Sequence, residues 1–337
     1  MSNLPPSGEI PRGAIRFNTD SNKPELWDGS QWAEFQLSTP NLGRSVDTQP
    51  GARGVYGYGI SPTSPGTLEY INISSTGNAV NFATGSAKTN TSGCSSSTRG
   101  LFGGSNSPAV INTIDFITIS STGTISDFGD LTTTRGQFAS CSSQTRGIWG
   151  GGETPTNTNV IDYVSIQSTG NAQDFGDLLN VFIDFTAFSS PTRGIFAGGQ
   201  VPTILNTIQF VTISTLGNAT DFGDLTVSRT NLRGCSNPVR GVIGGGYTNP
   251  AIINVIDYVT ISTLGNAANF GDLTRTTQLS AAMSSSTRGV WAGGLNPTVL
   301  DTIDYVTIAT QGDAVDFGDM VTALRGIGSV SNAHGGL

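Results

Sequence analysis

The chain has 337 residues, of which only 12% are charged, with 45 glycines and a formal net charge of −8. That acidity disfavours a nucleic-acid backbone as partner. Sparse charge, abundant glycine and short apolar bursts indicate an all-β protein rich in tight turns.

In chain order, the first residues (Met1-Ser2-Asn3-Leu4-Pro5-Pro6) lack the basic and apolar regions of a secretory signal. No apolar run approaches the ~20 residues of a membrane span. The expectation is assembly in a reducing cytoplasm without membrane insertion. Residues 1–41 follow no period. Ile15 and Phe17 alternate with polar neighbours, a polar turn follows, and Trp27 and Trp32 lie on the returning side. This predicts a β-hairpin with more aromatic surface than it can bury alone. It reads as an N-terminal arm whose Ile15, Phe17, Trp27 and Trp32 meet a partner.

From residue 42 onward one unit recurs. Arg53-Gly54, Arg99-Gly100, Arg146-Gly147, Arg193-Gly194, Arg240-Gly241 and Arg288-Gly289 stand ~47 residues apart. In the unit opened by Arg146, Gly147-Ile148-Trp149 predicts a strand ending in Gly150-Gly151-Gly152. After a variable loop, Ile161-Asp162-Tyr163-Val164-Ser165-Ile166 predicts a strand covered on both faces. Asp174-Phe175-Gly176-Asp177-Leu178 and a segment of small residues complete the unit. Four short strands joined by short turns form an antiparallel meander, because crossover helices do not fit. Stacking such sheets around an axis buries both faces, so residues 42–337 are expected to form a six-bladed β-propeller of four-stranded antiparallel blades. A parallel β-helix, the structural alternative, has shorter rungs. Two segments, Gly43–Gln49 and Arg325–Asn332, both read as an inner strand, and one is surplus. Asp47 and Pro50 suit a strand poorly, so residues 325–332 are expected to close the ring.

Cys94, Cys141 and Cys235 hold one repeat position, where Phe188 and Met283 stand elsewhere. Apolar replacements indicate a packing slot and not a ligand set. Asp-Phe-Gly at Asp127, Asp174, Asp221 and Asp316 (Asn269 in the fifth unit) recurs once per unit. It predicts a turn in which Asp accepts backbone N–H groups and Phe packs between blades. The following Asp130, Asp177, Asp224, Asp272 and Asp319 are expected to face the repeat arginines, with a bound cation as alternative. The single histidine, His334, lies in a terminal tail, no GxxxxGK phosphate loop exists, and the carboxylates recur in equivalent slots. The expectation is no catalytic residue, no cofactor and no metal. The loops after the double glycine vary most, yet carry apolar pairs at one place: Val110-Ile111, Ile204-Leu205, Ile252-Ile253 and Val299-Leu300. They either tuck onto their own sheet or form a docking face.

A strand ending in double glycine, an apolar strand with an acid-aromatic pair and a further aromatic resemble the kelch repeat over residues 42–335. Phe128, Phe175, Phe222, Phe270 and Phe317 stand where kelch repeats commonly have Trp. Gly13-Ala14-Ile15-Arg16-Phe17-Asn18-Thr19, with Trp27-Asp28-Gly29 and Trp32, resembles a short module of bacteriophage structural proteins. The repeats resemble those of virion proteins of marine cyanobacterial phages. That resemblance implies a non-enzymatic virion component, namely a fibre, tail or capsid appendage, oligomeric within the particle. It would be held by its arm to other virion proteins. A lectin-like module for a host surface glycan or receptor is the alternative, and a glycan-cleaving enzyme the last.

Overall fold

A computed structural model of the protein describes residues 10–18, 23–34, 53–153 and 155–337. The expected boundary at 41/42 and the segment Gly43–Gln49 lie outside them. The described residues form no helix. They form seven antiparallel sheets, one of three strands and six of four. The chain divides into two compact units, Met1–Gln49 and Pro50–Leu337.

In the first unit, β1 (Ile15–Asn18), β2 (Lys23–Trp27) and β3 (Trp32–Glu34) pair in that order. The expected hairpin therefore gains a third strand. Asp28 Oδ1 accepts the N–H groups of Ser30 and Gln31 at 2.7 and 2.8 Å, and Gly29 takes φ +102°. This turn reverses the chain immediately after Trp27 and places Trp27 opposite Trp32 on adjacent strands.

In the second unit, one sheet consists of Ala139–Ser142, Arg146–Gly150, Val160–Ser165 and Gln173–Asp177, paired in chain order. The pattern repeats in four further sheets, whose first strands are Ser92–Ser95, Thr186–Ser189, Arg233–Ser236 and Ala281–Ser284. The sixth combines Arg53–Gly57, Thr67–Asn72 and Val80–Thr84 with Gly328–Ser331 from the far end of the chain. There Gly328 lies opposite Gly57 and Ser331 opposite Gly54. The six first strands touch one another in cyclic order, a propeller-like all-β arrangement.

Apolar residues on both faces of each sheet make the arrangement necessary. Ile161 and Asp162 are fully buried and Val164 nearly so. Cys94, Leu101, Ile114 and Phe128 of one sheet pack with Phe138, Trp149, Val164 and Ile166 of the next. Tyr56, Ile71 and Ile73 of the sheet closed by the C-terminal strand pack likewise with Val290, Ile303 and Phe317. Each buried phenylalanine contributes about 1.5–3 kcal/mol. Phe82, Phe128, Phe175, Phe222, Phe270 and Phe317 also sit edge-on to the third-strand aromatic of their own sheet, with centroids 5.8–6.2 Å apart. Cys94, Cys141 and Cys235 are buried free thiols in the shared packing slot, and burial pushes Cys141 up to about 12.

Two expectations need correction. Asp-Phe-Gly is strand, not turn: Ser126–Asp130 pairs with the third strand through a bulge between Asp127 and Gly129. Its phenylalanine does pack between sheets. Gly129, at φ +145°, is needed because a Cβ there would collide with the backbone of Gly170 in the next sheet. That closeness lets Asp130 donate its N–H to Asn171 Oδ1 at 3.1 Å. The repeat arginines, for their part, do not await the aspartates. Arg99 Nη1 donates to the carbonyl of Ile166 at 3.1 Å, and Arg146 and Arg193 bond in the same way to Ile213 and Ile261. Each guanidinium lies over the third-strand aromatic of its own sheet, as Arg146 does over Tyr163 at 4.6 Å. A planar cation suits a stacked ring on one side and a carbonyl on the other.

The buried third-strand acids serve the preceding sheet instead. Asp162 accepts from the N–H and hydroxyl of Thr132 and pairs with Arg135 Nη2 at 2.9 Å. Asp257 does the same with Thr226 and Arg229. In the sheet of Gln209, Phe182 stands at the arginine position and Gln209 at that of the acid, and Gln209 Oε1 still accepts the N–H of Leu179 at 2.8 Å. In that sheet cation and acid are lost together, so neither is left there as an unpaired buried charge.

Candidate functional site

The structure separates the four N-terminal candidates. Ile15 and Phe17 are 67% and 61% exposed on one face of β1. Trp27 is buried, and Trp32 is half-buried against it with ring centroids 5.5 Å apart. Arg16 lies over Trp32 at 4.3 Å and donates its Nε–H to Glu25 at 2.6 Å. One face of the small sheet is thus occupied by its own side chains, while Ile15 and Phe17 face outward.

Among the loop candidates, Val110 is exposed, while Ile111, Ile204, Leu205, Ile252, Ile253, Val299 and Leu300 are half-buried. Leu205 packs on a core cluster of its own region. Ile111, Val299 and Leu300 are in strands and not in loops: the ladder resumes after a bulge, with Ser105 opposite Ile111 and Leu295 opposite Val299. These two loops are therefore shorter than expected.

The axis, by contrast, holds groups that the repeat alone did not single out. Every first strand ends in serine: Ser95, Ser142, Ser189, Ser236, Ser284 and Ser331. Each Oγ donates to the carbonyl of the serine before it in the ring, at 2.5–2.8 Å, and Ser95 completes the circle to Ser331. A chamber of about 60 Å³ lies among them and is capped by His334. His334 Nδ1 accepts the N–H of Gly336 at 3.1 Å, which leaves the proton on Nε2 to be donated to the carbonyl of Ser95 at 2.9 Å. Burial pulls His334 down to about 4, against the favourable effect of that carbonyl. Ser142 Oγ is 3.2 Å from Nε2. With the proton on Nε2 the ring does not act as a base toward that serine, so the contact is not an activated nucleophile. His334, in the terminal tail of the sequence, is an axial plug.

The opposite mouth is rimmed by six residues with left-handed backbone, each two positions before a first strand. They are Asn90, Gln137, Asp184, Asn231, Leu279 and Gly326, with φ between 51° and 63°. Asp184, Asn231, Leu279, Gly326 and Asn90 each donate N–H to the carbonyl of the rim residue before it, at 2.7–3.0 Å. Such strain collects at working sites. A second chamber of about 60 Å³ lies just inside, walled by Thr91, Ser92, Ser140, Thr186, Arg233 and Ser329 among others. The first residues of the six first strands are Ser92, Ala139, Thr186, Arg233, Ala281 and Gly328, so Arg233 alone is charged. Among the rim residues Asp184 alone is charged. Burial pushes Asp184 up to about 6, with Arg233 opposing the shift and Glu153 adding to it. Burial lowers Arg233 in turn, with Asp184 opposing. Both charges were visible in sequence as breaks in the period, but nothing there placed them together.

In comparisons with known proteins, no family model and no curated protein matches this chain. The class defined by fold and site is therefore a propeller-like all-β protein with a plugged axis and one asymmetrically charged mouth.

Proposed function

We propose that the chain is a six-bladed, kelch-like β-propeller carried by an N-terminal attachment arm, and that it serves as a non-enzymatic structural protein of a bacteriophage particle. The observation that carries this reading is the outward Ile15 and Phe17 face on a small, separate sheet. A three-stranded sheet of this size gains stability by covering such a face, and neighbouring virion proteins are the proposed cover. The larger unit then decorates a fibre, tail or capsid, in more than one copy per particle. Removal of residues 1–41 should leave a folded protein that no longer joins particles, judged by electron microscopy of particles assembled with each version. Incorporation of the truncated form at the full-length level would sink the proposal.

A second reading, contact with a host surface glycan or receptor, is favoured by exposed Val110 and the strained rim on the loop-bearing face. A glycan array and a cell-binding assay on the full chain test it, and silence in both rejects it.

A further inference from the structure

We propose that the open mouth of the axis is a binding site for one small oxyanion group, carboxylate- or phosphate-sized, held by Arg233 and borne on a molecule that stays outside the rim. This stands independently of the role in a particle.

Four observations converge. Arg233 walls the chamber, and its guanidinium makes one protein hydrogen bond among the described residues, from Nη1 to the carbonyl of Leu232 at 2.9 Å. A guanidinium has five N–H donors in a planar fork suited to an oxyanion, so most of this one's capacity is unused. Asp184 is close enough for its charge to act on Arg233, yet the two form no direct ion pair. Among the described residues, Thr91 Oγ1, buried in the chamber wall, has no hydrogen-bond partner, and neither has Gln137 Oε1. The Thr91 hydroxyl, in the wall, can donate to an oxyanion directly. Finally, equivalent positions in the other five sheets carry no charge, so neither Arg233 nor Asp184 is required to build the sheet.

The chamber, of about 60 Å³, has room for a carboxylate or phosphoryl group. The ligand's sign follows from placement. Arg233 is in the wall, whereas Asp184 is at the rim and Glu153 acts on it from the adjoining loop region. An anion entering through the mouth therefore passes the rim, where Asp184 opposes it, and is held at Arg233 in the wall, so Asp184 weakens its binding.

Two indoles report on the site. Trp291 Nε1–H donates to the carbonyl of Arg233 at 3.0 Å, and Trp149 Nε1–H to that of Ser92 at 3.1 Å. The chain has four tryptophans, so each indole signal can be assigned in a nitrogen-15 spectrum. The full chain is titrated with acetate, inorganic phosphate and glucuronate at constant ionic strength, with chloride as control. A saturable shift of Trp291, with Trp27 and Trp32 stationary, is expected for at least one of the three and not for chloride. Acetate and glucuronate against phosphate decide which oxyanion it is. Arg233→Gln, checked for folding by its melting curve, should weaken binding about tenfold or more, and Asp184→Asn should tighten it several-fold. No saturable shift with any of the three, unchanged affinity in folded Arg233→Gln, or weaker binding in Asp184→Asn would each overturn the proposal. If Arg233→Gln does not fold, the direction of the Asp184→Asn effect decides.

Discussion

Arg288 Nη1 donates to the carbonyl of Ile73 at 3.1 Å, across 215 residues of chain. Arg53 makes the same bond to Ile119, and Arg240 to Ile308. The sheet opened by Arg288 thus uses the sheet of Ile73 as its successor, just as every other sheet uses the next one in sequence. Asp319 N–H repeats the relationship with Asn78 Oδ1 at 3.1 Å. The ends of the array are joined by the same side-chain bonds as its middle.

Removal of residues 325–337 deletes the strand Gly328–Ser331 and leaves the backbone edge of Arg53–Gly57 unpaired. The expected result is loss of a single cooperative unfolding transition. Denaturation followed by both circular dichroism and tryptophan fluorescence checks it. A truncated chain with the full-length midpoint and slope would refute closure.

The Arg135–Asp162 pair is fully buried. Arg135→Met should cost about 3–5 kcal/mol, because Asp162 is left charged and unpaired in the interior. The double variant Arg135→Phe with Asp162→Gln copies the natural Phe182 and Gln209 arrangement and should recover most of that loss. Urea denaturation of the single and double variants measures both. A double variant no more stable than the single one would show that the two sheets are not interchangeable.

His334 should destabilise the fold as pH falls. Its folded value is near 4 because of burial, below the ordinary ~6.5. The unfolded chain takes up the proton first, so the stability it protects is complete above ~6.5, declines through the window and is lost below about 4. The loss is on the order of 3 kcal/mol. Protonation also sets Nδ1–H against the N–H of Gly336. As the chain's only histidine, its ring signals can be titrated directly by proton NMR. Titration between 6 and 7 in the folded protein would exclude an axial plug.

Asp184 acts with the opposite sign. Burial raises it to about 6, so its ionisation costs stability above that pH, and the cost fades as pH falls toward the unfolded value near 4. Asp184→Asn is expected to gain on the order of 2 kcal/mol at pH 8 and little at pH 4. Melting curves at the two pH values provide the test. Equal effects at both would mean that the gain does not come from charge. A residue that costs stability where five equivalents do not is a candidate for function.

Much of the larger unit was legible from spacing. The Arg-Gly marks, the acid-aromatic strand and the later phenylalanine recur because each unit makes the same local strands and buries the same faces. The cysteine slot was readable for the same reason, since Phe188 and Met283 showed that only packing mattered. Less was legible in the candidate site. Periodicity marks what is shared, whereas Asp184 and Arg233 are informative because they are not shared. The turn at Asp28 was also underestimated, because one Asx turn was enough to convert a hairpin into three strands.

The sequence by itself determined the repeating unit, its strand order and the residue types that fill each slot, because these depend on local alternation and turn chemistry. The tertiary structure alone decided which partner each polar group meets. The repeat arginines bond a carbonyl 66 or more residues away instead of the aspartates of their own unit, His334 enters the axis, and Asp184 comes close enough to Arg233 for its charge to act on it. The physical reason is that these contacts run between sheets. They are set by how the sheets pack around the axis, which no spacing along the chain records.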